Sequence, residues 1–431
     1  MKSSVAVVGA GVAGVVAAHE LAKAGHSVTL FEKNAYVGGH TATVVLDGGP
    51  DEGAAVDTGF IVLNDRTYPN FHRFLAELGV PWRWSDMSFS YHDADTGFQY
   101  AGTTLSGLFA QRANIVSPSF YAFIAEVVRF GGRAERDLER GALAGLTLGA
   151  YLSERGFSRA FVDRYAAPLG AAIWSTGLGE ILDFPAETFV RFFKNHGLLS
   201  LTDRARWQTV VGGSHAYIKA FLARFPGTVV KDACVESVRR FDGGVEVTAR
   251  GQAPRRFDRV VIAAHADEAL ALLADPSDDE SRLLGAWTYQ RNRTLLHCDE
   301  SFLPPNACAG ASWNYRREKG EDGSSGVSVT YDMNRLQGLT TRRRYLVTLN
   351  PRAEPRRGSL VREFMYLHPT YSFSSIRSQS ELSALNGVRS TWFCGSYFGY
   401  GFHEDAVVSA LAAARSLELL WRSHDDSVGC C

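Results

Sequence analysis

Val5-Ala6-Val7-Val8-Gly9-Ala10-Gly11-Val12-Ala13-Gly14 decides the fold of this chain. Val5 to Val8 is a short apolar run dominated by a β-branched side chain, the pattern of a parallel strand buried on both faces. A helix rich in alanine follows from Val15 to Ala24 and stops at Gly25. Ser27-Val28-Thr29-Leu30-Phe31 reads as a second strand, and it ends at Glu32. The order is strand, G-x-G-x-x-G, helix, strand, acid. Gly9 permits the tight turn, Gly11 lets backbone approach a pyrophosphate, and Gly14 lets the helix pack closely on the strands. Val12 and Ala13 begin a helix whose unpaired N–H groups and positive dipole end suit phosphates. Glu32 can accept from the hydroxyls of a ribose, and Lys33 is counted beside it as cofactor-binding.

The rest of the composition narrows the classes of function. A chain of 431 residues is too long for one compact core, so two intertwined domains are expected. The net charge of -1 offers no electrostatic footing for nucleic acid. The 26 Phe, 16 Tyr and 8 Trp would suit a large apolar pocket as well as a large core. No apolar run is long enough for a membrane-spanning helix. Met1 to Ala18 has the outline of a signal peptide, but its glycines serve the nucleotide turn instead. The six cysteines are scattered without metal-ligand spacing, which fits a reduced, cytoplasmic setting. Cys430 and Cys431 fall on a polar tail, residues 426–431. The histidines show no ligand pair on one helix face, so no metal site is expected.

Two further motifs extend the first. Lys33-Asn34-Ala35-Tyr36-Val37-Gly38-Gly39-His40 places a glycine pair just past the acid. Near the other end, Thr391-Trp392-Phe393-Cys394-Gly395-Ser396 is a strand running into a glycine turn. It leads through Tyr397-Phe398-Gly399-Tyr400-Gly401-Phe402-His403-Glu404-Asp405 into a helix over 408–421. Taken together, these segments resemble the flavin amine oxidase superfamily. The resemblance is closer to a bacterial group of flavin-binding proteins related to the oxidase-like portion of plant cyclopropane fatty acid synthases. It rests also on Gly59-Phe60-Ile61-Val62-Leu63-Asn64, on Trp207 to Ser214, on Met333 to Gln337 and on Leu367-His368-Pro369.

The resemblance implies an α/β fold: a Rossmann-type FAD-binding domain with a mixed α+β substrate domain. It implies FAD, bound non-covalently, since Cys394 lies in the strand before the turn. Gly38 and Gly39 join the phosphate site, and His40 stands where many relatives carry arginine. Thr58, Gly59, Phe60 and Ile61 match the segment that brings backbone close to the isoalloxazine, with Gly59 at the close approach. Val235 matches the adenine contact, and Gly395 and Ser396 the pyrophosphate-side turn. His403 and Glu404 open a helix aimed at the pyrimidine end of the flavin. Tyr400, Phe402 and His403 are the candidates for the reacting face.

The FAD-binding domain is expected from residues 1–65, 206–275 and 386–425, and the substrate domain from 66–205 and 276–385. Residues 80–205 read as mostly helical, with Ser117–Phe130 and Thr147–Ala167 the clearest helices. Residues 276–385 read as an antiparallel sheet, with an exposed loop over Glu318–Ser325.

Flavin carries the redox chemistry and the protein supplies a dry, oriented pocket. The preferred reading is an oxidoreductase acting on an acyl chain or lipid by desaturation, isomerisation or a related hydride transfer. A peripheral membrane contact would accompany such a substrate. An amine oxidase or dehydrogenase is the second reading. A non-catalytic flavin-binding subunit of a lipid-modifying partner enzyme is the third. A carboxylate in the pocket would favour a cationic amine, and a long apolar lining an acyl chain.

Overall fold

The computed structural model describes residues 3–200, 204–319 and 325–428. Cys430 and Cys431 lie outside the described residues, as do residues 320–324 of the expected loop. The flanks of that loop are strand: Trp313–Lys319 pairs antiparallel with Ser325–Asp332.

Five parallel strands form the central sheet, in the order Thr228–Val230, Ser27–Phe31, Ser4–Val8, Arg259–Ile262, Thr391–Phe393. Ser4–Val8 is central, and its alternate side chains enter different cores. Val5 and Val7 pack with the helix Val12–Ala24 and with the final helix, whereas Ala6 and Val8 face the rest of the molecule. That two-sided burial is why the strand is an unbroken apolar run. The Val12–Ala24 helix ends at Gly25 in the left-handed region, φ 95°. The final helix is longer than its sequence pattern suggests, His403–Val428. A three-stranded antiparallel sheet, Val235–Phe241, Gly244–Ala249 and Arg255–Phe257, turns at Gly243 as expected.

A seven-stranded sheet forms the second layer. Its order is Leu360–Thr370, Thr288–His297, Leu346–Leu349, Ser325–Asp332, Trp313–Lys319, Phe89–Asp93, Gln99–Ala101. Residues 80–205 are mostly helical as expected, but the last two strands and a third, Trp82–Trp84, also lie in that region. Short runs such as Phe89–Asp93 are committed to strand by a partner far along the chain, Trp313–Lys319, with which the pairing is parallel.

Helices cover this sheet. Pro118–Glu139 is capped by Ser117, whose Oγ accepts from Phe120 N. The expected helix over 147–167 is broken. Leu148–Glu154 stops before Gly156, which has φ 64°, and a π-helical turn, Val162–Ala166, precedes the helix Ala167–Trp174. Pro168 has no N–H to offer the carbonyl of Arg164, and that carbonyl accepts from the Tyr100 hydroxyl at 2.8 Å instead.

Asp57 ties the two layers together. It is fully buried, and its carboxylate accepts from Thr43 Oγ1 at 2.5 Å, Ser214 N at 2.8 Å and Gln337 Nε2 at 3.0 Å. Gln337 Oε1 in turn accepts from Asp57 N at 2.9 Å. Replacing Asp57 with alanine leaves the Ser214 N–H and the Gln337 amide buried without an acceptor, at ~1–3 kcal/mol for each. Asp57→Ala is therefore expected to shift the urea unfolding midpoint downwards, and a midpoint equal to that of the parent would refute the latch.

Candidate active site

The parallel sheet and the second layer enclose one continuous cavity of about 1580 Å³. A single small ligand occupies roughly 300–1,000 Å³, so this space accommodates a large cofactor and a substrate together.

Its first arm is built by the opening turn. A Cβ on Gly14 would lie 1.8 Å from the Gly9 carbonyl oxygen, so only glycine lets the helix begin where it does. Gly38 N donates to Ala10 O at 2.9 Å and clasps the glycine pair against the first loop. Gly39, with φ 57°, passes so close that its Cβ would sit 3.1 Å from Gly11 Cα. Gly11 differs: a Cβ there would meet nothing within 4 Å, because it would project into the cavity. That space, in front of a helix N-terminus with an unhindered backbone, fits a pyrophosphate. Gly395 and Ser396 border the same space, and Gly395 N donates to Ser409 Oγ at 3.0 Å.

Glu32 is buried at the end of its strand. Its Oε1 accepts from Asn34 N at 2.9 Å and Asn34 Nδ2 at 2.7 Å, and its Oε2 accepts from Ala10 N at 2.9 Å and retains a lone pair for a ribose hydroxyl. Lys33 Nζ pairs with Glu268 at 2.6 Å, and Arg250 Nε with Glu236 at 2.5 Å. Burial works against the Lys33 charge, but the Glu268 bond together with the negative charges of Glu268 and Glu32 outweighs it, leaving the ammonium above its ordinary pKa. Val235 borders this end.

His40 does not replace an arginine electrically. Burial, reinforced by His368 and His265, holds its pKa well below 6.5, so the ring is neutral. Its Nε2 is buried without a hydrogen-bond partner among the described residues. Gly59 answers to His40 as well: a Cβ on Gly59 would lie 2.2 Å from the His40 carbonyl oxygen. Chain packing by itself therefore requires glycine here, and Gly59 also borders the cavity. Thr58 Oγ1 bonds the Tyr366 hydroxyl at 2.8 Å, and Ile61 O accepts from Thr209 Oγ1 at 2.9 Å.

The reacting-face candidates separate into two groups. Phe402 stacks on Phe192 with ring centroids 4.8 Å apart, and Tyr400 meets the same ring edge-on at 5.8 Å. Both border the cavity, as does His403. His403 is buried behind Phe60, stacked at 3.7 Å, and its Nε2 bonds the Tyr217 hydroxyl at 2.8 Å. Burial pushes its pKa down to about 3. Glu404 serves the fold with its side chain. Its carboxylate accepts from Asn70 N and Phe71 N, both at 2.9 Å, and caps the helix Pro69–Leu78. What His403 and Glu404 offer the cavity is the helix end they open.

The second arm escaped the motif search. Phe123, Ile124, Val127, Phe130 and Gly131 present one face of the Pro118–Glu139 helix to it, at a spacing legible as an amphipathic stripe. Tyr165, Trp174, Phe192 and His196 come from the following helices, and Trp313, Tyr331 and Tyr366 from the sheet. No local signal marks these residues as cavity wall. Among the described residues the wall carries three carboxylates, Glu32, Glu236 and Glu268, all at the Val235 end. The one group of described residues placed to share a cation, His19, Glu20 and Glu77, lies elsewhere, and Lys23 Nζ already sits 2.5 Å from Glu77.

A fold of this kind with a glycine cradle for a dinucleotide defines a two-domain flavoprotein. The family model described as flavin-containing amine oxidoreductase matches residues 12–417. The chain belongs to that family, and FAD is its cofactor. AofH of Mycobacterium tuberculosis, described as a flavin-containing monoamine oxidase, is 28% identical over 288 residues, 63% of this chain and 59% of AofH. Putrescine oxidase bound to putrescine superimposes with a TM-score of 0.72 at 16% identity, covering 97% of this chain and 99% of the other. A fatty acid isomerase from P. acnes that produces CLA superimposes with a TM-score of 0.65 at 16% identity, covering 97% and 98%. Among the described residues, no helix is long and apolar enough to cross a membrane.

The contrast between Gly11 and Gly14 is testable. Gly11→Val should give folded protein, by circular dichroism, that purifies without yellow colour. Gly14→Val should fail to fold. A Gly11→Val protein with a full flavin absorbance band would refute the cradle.

Acid should destabilise the protein. Burial lowers His196, His297 and His368 to about 4 and His403 to about 3, so between about 6.5 and 4 only the unfolded chain protonates them. Burial raises Asp57 and Asp405 to about 7, so in that window only the folded chain holds those protons. Four protons favour the unfolded state against two for the folded one. Stability should therefore fall as pH drops from about 6.5 to 4, read as a falling thermal midpoint.

Proposed function

We propose that this chain is an FAD-dependent oxidoreductase acting on a long apolar substrate, an acyl chain or lipid, by desaturation, isomerisation or a related hydride transfer. One observation carries the reading: the second arm is aromatic and aliphatic, and among the described residues no carboxylate enters it. A cationic amine buried there would have no counter-charge, whereas each methylene of an acyl chain gains ~0.8 kcal/mol on burial. Flavin accepts or returns hydride when bound. Phe402, Tyr400 and Phe192 press the reacting segment into line and exclude water. His403 is a positioning residue, since its Nε2 is committed to Tyr217. The FAD is held without a covalent bond: Cys394 is fully buried in the helix-side core, and burial pushes its thiol up to about 12. The FAD-binding part comprises residues 1–65, 206–275 and 386–425, and the substrate part 66–205 and 276–385.

The amine reading draws on AofH, and the aromatic wall would also suit a small neutral amine. The two separate on adding substrates to the FAD-loaded protein without oxygen. Long-chain unsaturated acyl compounds should bleach the flavin band or emerge with a shifted double bond by mass spectrometry, and simple amines should do neither. Bleaching by amines, with acyl compounds inert, would restore the amine oxidase reading.

A further inference from the structure

The long helix that walls the apolar arm changes character halfway along. Its second half carries Arg129, Arg133, Glu135, Arg136, Asp137 and Glu139, as a solvated helix should. From Pro118 to Val128 its one charge is Glu126. That carboxylate is spent on the next segment, accepting from Ser158 N at 2.9 Å. Around this first half Phe120 and Phe123 are buried, Ile124 and Val127 border the cavity, and Tyr121 and Val128 are exposed. A helix apolar on every side is normally enclosed, and this one is enclosed on two sides only.

The segment before the helix extends that surface. Leu105 is 77% exposed and Val116 82%, and Ile115 is exposed as well. These side chains do not sit on a loose loop. Thr104 caps the turn Leu105–Leu108, its Oγ1 accepting from Gly107 N at 3.0 Å. Phe109 then packs on Phe120 and Tyr121, with ring centroids 5.7 and 6.1 Å apart. The Tyr121 hydroxyl donates to Ile115 O at 2.9 Å. Charge is scarce here too. Between Asp95 and Glu126 the only charged residue is Arg112, which is exposed, so the whole stretch passes without an acid in a chain that has 46. The apolar arm reaches the surface at the same place, since Gly102, Thr103 and Val128 belong to its wall and are exposed.

We infer that this face, carried by Leu105, Ile115, Val116 and Tyr121, docks on the surface of a lipid bilayer and sets the mouth of the apolar arm against it. Its purpose rests on the apolar-substrate reading: a long acyl chain passes from the membrane into the arm without crossing water. Charge favours the same occupant. An acid-free surface with one arginine meets anionic headgroups without repulsion and gains from them. A second copy of the chain fits less well. A stable protein interface takes roughly 20–30 residues a side, whereas apolar side chains enter the headgroup boundary of a bilayer in small numbers.

The test is co-flotation of the FAD-loaded protein with vesicles. Wild type should float with phosphatidylcholine vesicles, and should bind ~5-fold more tightly when half the lipid is phosphatidylglycerol, the return of one arginine near an anionic surface. Leu105→Asp combined with Val116→Asp should weaken binding to phosphatidylcholine ~10–100-fold. Both positions are exposed and outside the cavity wall, so the flavin absorbance and thermal midpoint should stay those of wild type. Arg136→Asp, on the charged half of the helix, should bind phosphatidylcholine as wild type does. Wild type that stays free of both vesicles, or a double variant that floats as well as wild type, overturns the docking face. So does a wild-type dimer, seen by sedimentation, that the double variant splits while neither protein binds vesicles; the face would then belong to a second copy. Flotation needs no turnover, so these failures leave the apolar-substrate reading to its own test. Protein that floats as expected but whose flavin is bleached only by amines keeps the docking face and removes that reading.

Discussion

Backbone meets backbone at the end of the first strand, and the rest of the molecule depends on that contact. Gly14 can sit against the Gly9 carbonyl only because it lacks a Cβ. The helix then starts one turn beyond the strand, with its free N–H groups facing a space that no side chain enters. Gly39 repeats the arrangement from the other side by closing on Gly11. A dinucleotide's pyrophosphate is thereby met by fixed dipoles rather than by a mobile cation, which suits a site where His40 is neutral.

Charge is segregated along the cavity. Acids and bases at the Val235 end are paired with each other, and Glu32 is held in place by backbone donors before any ligand arrives. The other arm is mainly apolar. Burial keeps the histidines around the cavity neutral, and His403 in particular is locked by Tyr217. A protein built this way offers little acid–base catalysis. Its contribution is position and dryness, and the redox step is left to the flavin.

The cofactor half of the site was legible in the chain because its determinants are local. Glycine spacing, the strand-ending acid and the closing aromatic-glycine segment each act within a few residues of themselves. Gly59 and Glu404 show the limit of that reading. In the folded chain one packs against the His40 carbonyl and the other caps the N-terminus of a neighbouring helix. The strands at Phe89–Asp93 and Gln99–Ala101 carry no local mark within a mostly helical span, because what commits them is a sheet assembled from the far end of the chain. The direction of Tyr165 is hidden for a related reason: it belongs to a π turn just before Pro168, in which the Arg164 carbonyl accepts from the distant Tyr100 hydroxyl.

By itself, the sequence determined the nucleotide cradle, the parallel sheet that carries it, and the flavin family. Missing side chains and uninterrupted apolar runs dictate local backbone geometry, and local geometry is written in adjacent residues. Only the tertiary structure decided which aromatic rings face the cavity and which histidines are sealed away. Those outcomes depend on which surfaces pack together, and packing is set by contacts between residues that are remote along the chain.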